Sequence, residues 1–160
     1  MRLQTSLSLD HANTIIAEAL RVGAENDLLP LTVVVIDAGG RMVACQSQDG
    51  SGLLRHDIAF GKAWGALGMG ISSRLIRDRL SARPTFQAAL ATASDGRLIP
   101  VPGGVLVERD GVTIGAVGIS GDTSEKDEYC AIAGIRAAGL SSEPAEADPD
   151  WSTSYLDDRH

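Results

Sequence analysis

The sequence predicts an α+β fold built around an antiparallel sheet. Two apolar hairpins, each closed by a glycine turn, are separated by a run of helical segments, and the regular strand–helix alternation of a parallel sheet is missing. The chain of 160 residues, 44% hydrophobic and 22% charged, has the size and composition of one globular core.

The elements follow in order. Ser8 or Asp10 can cap a first helix running to about Asn26, with Ala12, Ile15, Ile16, Ala19, Leu20 and Val22 at helical spacing. Asp27 to Pro30 breaks it. Leu31 to Ile36 is a short β-branched apolar run, a buried strand; Asp37-Ala38-Gly39-Gly40 turns the chain, and Arg41 to Gln46 returns. A long helix is expected over roughly Leu53 to Met69, with shorter ones near Ser73–Leu80 and Pro84–Ala93. Its small residues Gly61, Gly65 and Gly68 would let another backbone approach closely, at a cost in helicity. Leu98 to Val101 reads as extended. Val105–Glu108 and Val112–Ile119 form the second hairpin across Arg109-Asp110-Gly111. A last helix follows, capped by Ser124 and ended by Gly139.

Charge divides the chain unevenly. Of the net charge of -7, the segment from Ser141 to His160 carries most, through Glu143, Glu146, Asp148, Asp150, Asp157 and Asp158 against Arg159. The near-neutral body with no basic stripe argues against nucleic acid or an anionic membrane as partner. No apolar run reaches the ~20 residues of a membrane span, and Met1 to Asp10 lacks a secretory pattern, so the cytoplasm is the expected location. Cys45 and Cys130 are too few and too isolated for a disulfide scaffold or a zinc cage. The division expected is a domain over 1–140 and an acidic, extended tail over 141–160. Trp151 and Tyr155 in that tail either pack on something, a neighbouring subunit among the candidates, or hang loose.

Phosphate-loop and dinucleotide spacings are absent from Gly115 to Gly121, there is no Gly-x-Ser-x-Gly elbow, and His11, His56 and His160 have no metal-ligand spacing. The candidates for chemistry are therefore few. His56, beside Asp57 early in the long helix, reads as a general acid/base, a metal or haem ligand, or a histidine satisfied at the surface. Lys62 lies among small residues and can hold a carboxylate or reach to water. Ser120-Gly121, leading into the last helix, offers free amides and the positive helix end to an anion. Asp127 and Glu128 follow, about 100° apart on that helix, so at most one faces a given cleft. Gly103-Gly104 permits close ligand approach or simply starts a hairpin.

Val35-Ile36-Asp37-Ala38-Gly39-Gly40, Ala59 with Lys62-Ala63, Gly103-Gly104-Val105, and Ile114 to Gly121 with Asp127-Glu128 together resemble the GlcG/HbpS-like family. That family includes haem-binding and haem-degrading proteins and the C-terminal domain of PduO-type proteins. The resemblance spans roughly Ser8 to Leu140 and implies a profilin-like α-β-α sandwich with a five-stranded antiparallel sheet. It also implies assembly into homo-oligomers, from dimers to octamers. The chain departs from the pattern at Ser47-Gln48-Asp49 and at Arg55-His56-Asp57.

Three functional readings result. The first is a small-molecule-binding protein for haem or a related tetrapyrrole, with His56 as axial ligand and Lys62 and the Ser120-Gly121 turn holding the anionic propionates. The second is a cofactor-free lyase, hydratase or isomerase on a small carboxylate. There His56 moves the proton, Lys62 and the turn anchor the substrate, and Asp127 or Glu128 orients the base. The third is a structural oligomer subunit without catalysis. The first two require His56, Lys62 and the turn to share one hollow.

Overall fold

The computed structural model describes residues 3–156. Helix α1 spans Leu9–Glu25, strands β1 and β2 span Thr32–Asp37 and Met42–Ser47, and helices α2, α3 and α4 span Arg55–Met69, Ser73–Leu80 and Pro84–Ala93. Strands β3 and β4 cover Gly104–Arg109 and Val112–Ser120, α5 covers Ser124–Ala137, and β5 covers Ser141–Glu143. The sheet order is β2-β1-β4-β3-β5, with every neighbouring pair antiparallel.

Strand alternation divides the core in two. Val33 and Val35 of β1, Val105 and Val107 of β3, and Val117 and Ile119 of β4 face α1 and α5. Val34, Ile36, Leu106 and Ala116 face the other way, onto Ala59, Ala63 and Ala66 of α2. The result is the α-β-α sandwich. Among the described residues no helix is long and apolar enough to cross a membrane.

Two differences from the sequence reading concern the C-terminal part. Leu98 to Val101 forms no strand; the fifth strand is Ser141–Glu143, just beyond the expected domain edge at 140. Three polar residues carry no apolar pattern, and only the free edge of β3 makes them a strand. The remaining described tail then folds back over its own chain. Trp151 stacks on Tyr129 of α5 with ring centroids 3.7 Å apart, and Ser154 Oγ donates to Glu125. The aromatic packing that a neighbouring subunit was a candidate to supply is supplied by α5. Asp157, Asp158, Arg159 and His160 lie outside the described residues. A smaller correction is that Thr123, not Ser124, occupies the cap position of α5.

The glycines of the sheet set how closely α2 can lie. Gly104 and Gly118 are register partners on β3 and β4. A Cβ on Gly118 would stand 1.8 Å from the Ala59 carbonyl oxygen, and one on Gly104 would stand 2.2 Å from that of Lys62. Backbone therefore packs on backbone at this point. Along α2, Gly61 and Gly65 admit the chain's own Arg97 to Ile99 segment, with Arg97 O only 2.3 Å from a Cβ on Gly61. Two of the three small residues expected to admit another backbone thus admit a segment of this same chain; of the three, Gly68 alone faces open space.

Gly118→Ala is expected to destabilise the fold by about 2–4 kcal/mol, because a rigid carbonyl must move. A thermal melt reads this directly, and an unchanged Tm would contradict the backbone-on-backbone contact.

Candidate functional site

The inner face of α2 carries a buried lysine among alanines. Lys62 points at the end of β4, where its Nζ donates to the Ile119 carbonyl and to Asp127 Oδ2, both at 2.8 Å. The two side chains are 2% and 1% exposed. Asp127 Oδ1 accepts the Asp122 amide at 3.1 Å, so both carboxylate oxygens are engaged. Burial pushes the Asp127 carboxyl up, while the Lys62 ammonium, the Asp122 amide and Arg55 pull against it. Gly103, at φ 111°, keeps the space open: a Cβ there would stand 3.0 Å from Nζ.

The turn between β4 and α5 extends this network. Arg55 Nη1 donates to Ser120 Oγ at 3.2 Å. Asp122 accepts the amides of Leu29 and Thr123 and lies 3.4 Å from Lys126 Nζ. Gly121 is pressed against Pro30 and Leu31. Arg55 and Asp122 were not among the sequence candidates; the Gly-Asp-Thr-Ser run before the helix was the available signal for Asp122.

Glu128, one position on, faces elsewhere, as the 100° step requires. It is 0% exposed, with Arg74 Nη1 of α3 3.4 Å from Oε1 and no hydrogen bond to either oxygen. Burial pushes its carboxyl up to about 7; Arg74 and Arg77 pull it down, and Asp148 and Glu125 push it further up.

His56 stands apart from all of these. Its imidazole, 47% exposed, lies on the outer side of α2 with Nδ1 3.3 Å from Asp57 Oδ1. It lines a groove of about 520 Å³ with Met42, Leu54, Phe60, Arg97 and Ile99. Arg97 crosses the Trp64 ring at 4.2 Å, and its Nε donates to Ser94 O. None of Lys62, Asp127, Glu128, Gly103, Gly104, Ser120 or Gly121 lines this groove.

The single hollow expected from the sequence is therefore not formed within the chain. Lys62, Asp127, Ser120 and Gly103 do converge, yet the amine is closed off by its two acceptors. The room beside its small neighbours is filled by the sheet at Ala63 and Ala66 and by Arg97 to Ile99 at Gly61. Gly104 and Gly121 are contact points between backbone segments. The groove residues Met42, Arg97 and Ile99 escaped the sequence reading because they come from segments far from His56 in the chain. Among the described residues no group of three or more His, Cys, Asp or Glu could hold a metal ion.

The chain has clear relatives. The family described as haem degrading protein HbpS-like matches residues 7–136. The crystal structure of PduOC in its haem complex superposes with a TM-score of 0.78 at 25% identity, covering 86% of this chain and 98% of that one. Klebsiella pneumoniae protein ORFY superposes with a TM-score of 0.77 at 26% identity, covering 87% and 94%. A 15.0 kDa protein from the dhaT-dhaS intergenic region of Citrobacter freundii is 30% identical over 115 residues, 72% of this chain and 80% of that protein.

Asp127→Asn should cost about 3–5 kcal/mol, since it strands the Lys62 charge in the interior; the double change Lys62→Met with Asp127→Leu should recover much of that loss. Urea unfolding of the three proteins tests it, and an Asp127→Asn protein as stable as wild type would contradict the pairing. Glu128 gives a pH signature. Its carboxyl titrates higher folded than unfolded, so its contribution is fully present below about pH 4.5 and is lost as pH rises through about 7. Glu128→Gln should therefore gain in Tm relative to wild type between about pH 5 and pH 8. A difference that stays flat across that range would contradict the buried environment in which neither carboxylate oxygen accepts a hydrogen bond.

Proposed function

We propose that this chain, which belongs to the haem degrading protein HbpS-like family, binds haem or a related tetrapyrrole in the groove on the outer side of α2, with His56 as the residue that would hold the iron. The observation that carries this reading is the half-exposed imidazole on the wall of a groove of about 520 Å³, large enough for a planar macrocycle edge. Haem is the ligand in the PduOC complex, which shares the fold at 25% identity.

The donor set fits such a group. Asp57 lies beside Nδ1, an arrangement that fixes the ring and leaves Nε2 as the free donor nitrogen. Met42, half exposed, adds a thioether to the same lining. Leu54, Ile58, Phe60 and Ile99 supply apolar walls. Arg97, braced on Trp64, keeps guanidinium donors for an anionic propionate. This role passes to Arg97 from Lys62, whose ammonium is already held by Asp127 and Ile119.

When bound, the group would supply iron-centred ligand or electron chemistry. The chain's own residues would do the rest. His56 would hold the iron through one nitrogen, Asp57 would orient it, the apolar wall would exclude water from one face, and Arg97 would neutralise a carboxylate.

Titrating the protein with hemin should give a saturable Soret shift at one site per chain. His56→Ala should alter that band and weaken binding by roughly tenfold or more, Asp57→Asn should weaken it less, and Arg97→Gln should leave the band position while lowering affinity. Absence of a saturable shift, or an unchanged one in His56→Ala, would reject the assignment.

A further inference from the structure

Helix α4 has an unusual surface. Its ten residues, Pro84–Ala93, include no charged side chain and none that is buried. Phe86 is 39% exposed, and Met69 across from the helix is 37% exposed. Between α4 and α2 lies an open apolar hollow of about 150 Å³, walled by Trp64, Gly68, Met69, Leu90, Ala93 and Leu98. A helix this short has little stability of its own in water and needs an apolar face covered.

The charges that bracket α4 indicate what covers it. Arg83 sits at its N-cap and Asp95 just past its C-cap, Ser94. Each is at the wrong end of the helix dipole: a cation at the positive end, an anion near the negative end. Both are exposed, and neither has an ion-pair partner among the described residues; Arg83 rests only on the Phe86 ring at 4.7 Å. A second α4 running antiparallel reverses both misplacements at once. Arg83 of one copy then meets the C-terminal end and Asp95 of the other, and the reverse holds by symmetry. The midpoint of the two charges is Ala89, a small exposed residue that lets the helices approach. Such a surface is complementary to itself, which is the requirement of a two-fold interface.

We infer that α4 is a self-association surface: two copies of the chain pair through antiparallel α4 helices about an axis near Ala89, with Arg83–Asp95 contacts at both ends. Pairing covers Phe86 and the hollow beside Leu90. It also sets the second copy next to Asp95 and Arg97, which line the groove carrying His56. The inference stands on α4 alone and does not depend on what that groove binds.

The test uses the full chain in sedimentation velocity over a concentration series. Wild type should run at twice 16.7 kDa or a multiple of that. Arg83→Glu and Asp95→Arg should each weaken association by about tenfold or more, and the two together should restore it, as reciprocal charges do. Ala89→Cys should form a covalent dimer on mild oxidation, with wild type, which holds Cys45 and Cys130, as the control. Far-UV circular dichroism checks that each variant is folded; the substituted side chains are all exposed. A wild type that stays monomeric at every concentration overturns the inference. So does an oligomer that is indifferent to both charge reversals and whose Ala89→Cys variant forms no cross-link, since it would be built through another face.

Discussion

A lysine ammonium and an aspartate carboxylate, both almost wholly out of water, meet where α2, the end of β4 and the start of α5 converge. Removing two charges from water is expensive, and their attraction offsets that only with good geometry and further hydrogen bonds. Here both conditions hold: Lys62 has the Ile119 carbonyl as a second acceptor, and Asp127 has the Asp122 amide as a second donor. The pair thus links the helical layers on the two sides of the sheet through the sheet's own end. Gly103 belongs to the same constraint, because a side chain there would crowd Nζ.

The close approach of α2 to the sheet is a condition for that pair. Lysine can reach the end of β4 only if the helix backbone lies almost on the strands, and the facing glycines at 104 and 118 make that approach possible. With its inner face committed to glycine contacts and one ion pair, α2 is free to present its outer face to a ligand. There His56, Phe60 and Trp64 meet the 95–99 segment that returns from α4. The rigid contact on one side of the helix holds the groove on the other.

Glu128 shows the same helix serving a second neighbour. Two adjacent acidic residues, both buried, are divided between two faces of α5: one is paired with Lys62, the other lies beside α3 with Arg74 within ion-pair distance. The tail supplies Asp148 and Trp151 to that second region, so the acidic terminus is part of the folded body over its described length.

Most helices and both hairpins were legible in the sequence because each depends on local signals: apolar periodicity, a capping Ser8, and glycine turns at 39–40 and 111. α3 and α4 occupy the spans expected of them. The angular separation of Asp127 and Glu128 also followed from helix geometry alone. The strand at 141–143 was not legible, since its pairing comes from β3 and not from its own side chains. Nor was the burial of Lys62 and the exposure of His56, although their separation was. Seven residues apart lies close to two helical turns and leaves six apart pointing elsewhere, so Lys62 shares a face with Arg55 rather than with His56. The amino-acid order alone determined the helices, the two hairpins and the residue types capable of chemistry, and the family resemblance implied the sandwich. Only the tertiary structure decided which of them face water, because burial of an amine or an imidazole is set by what packs across from it, and those partners lie far away in the chain.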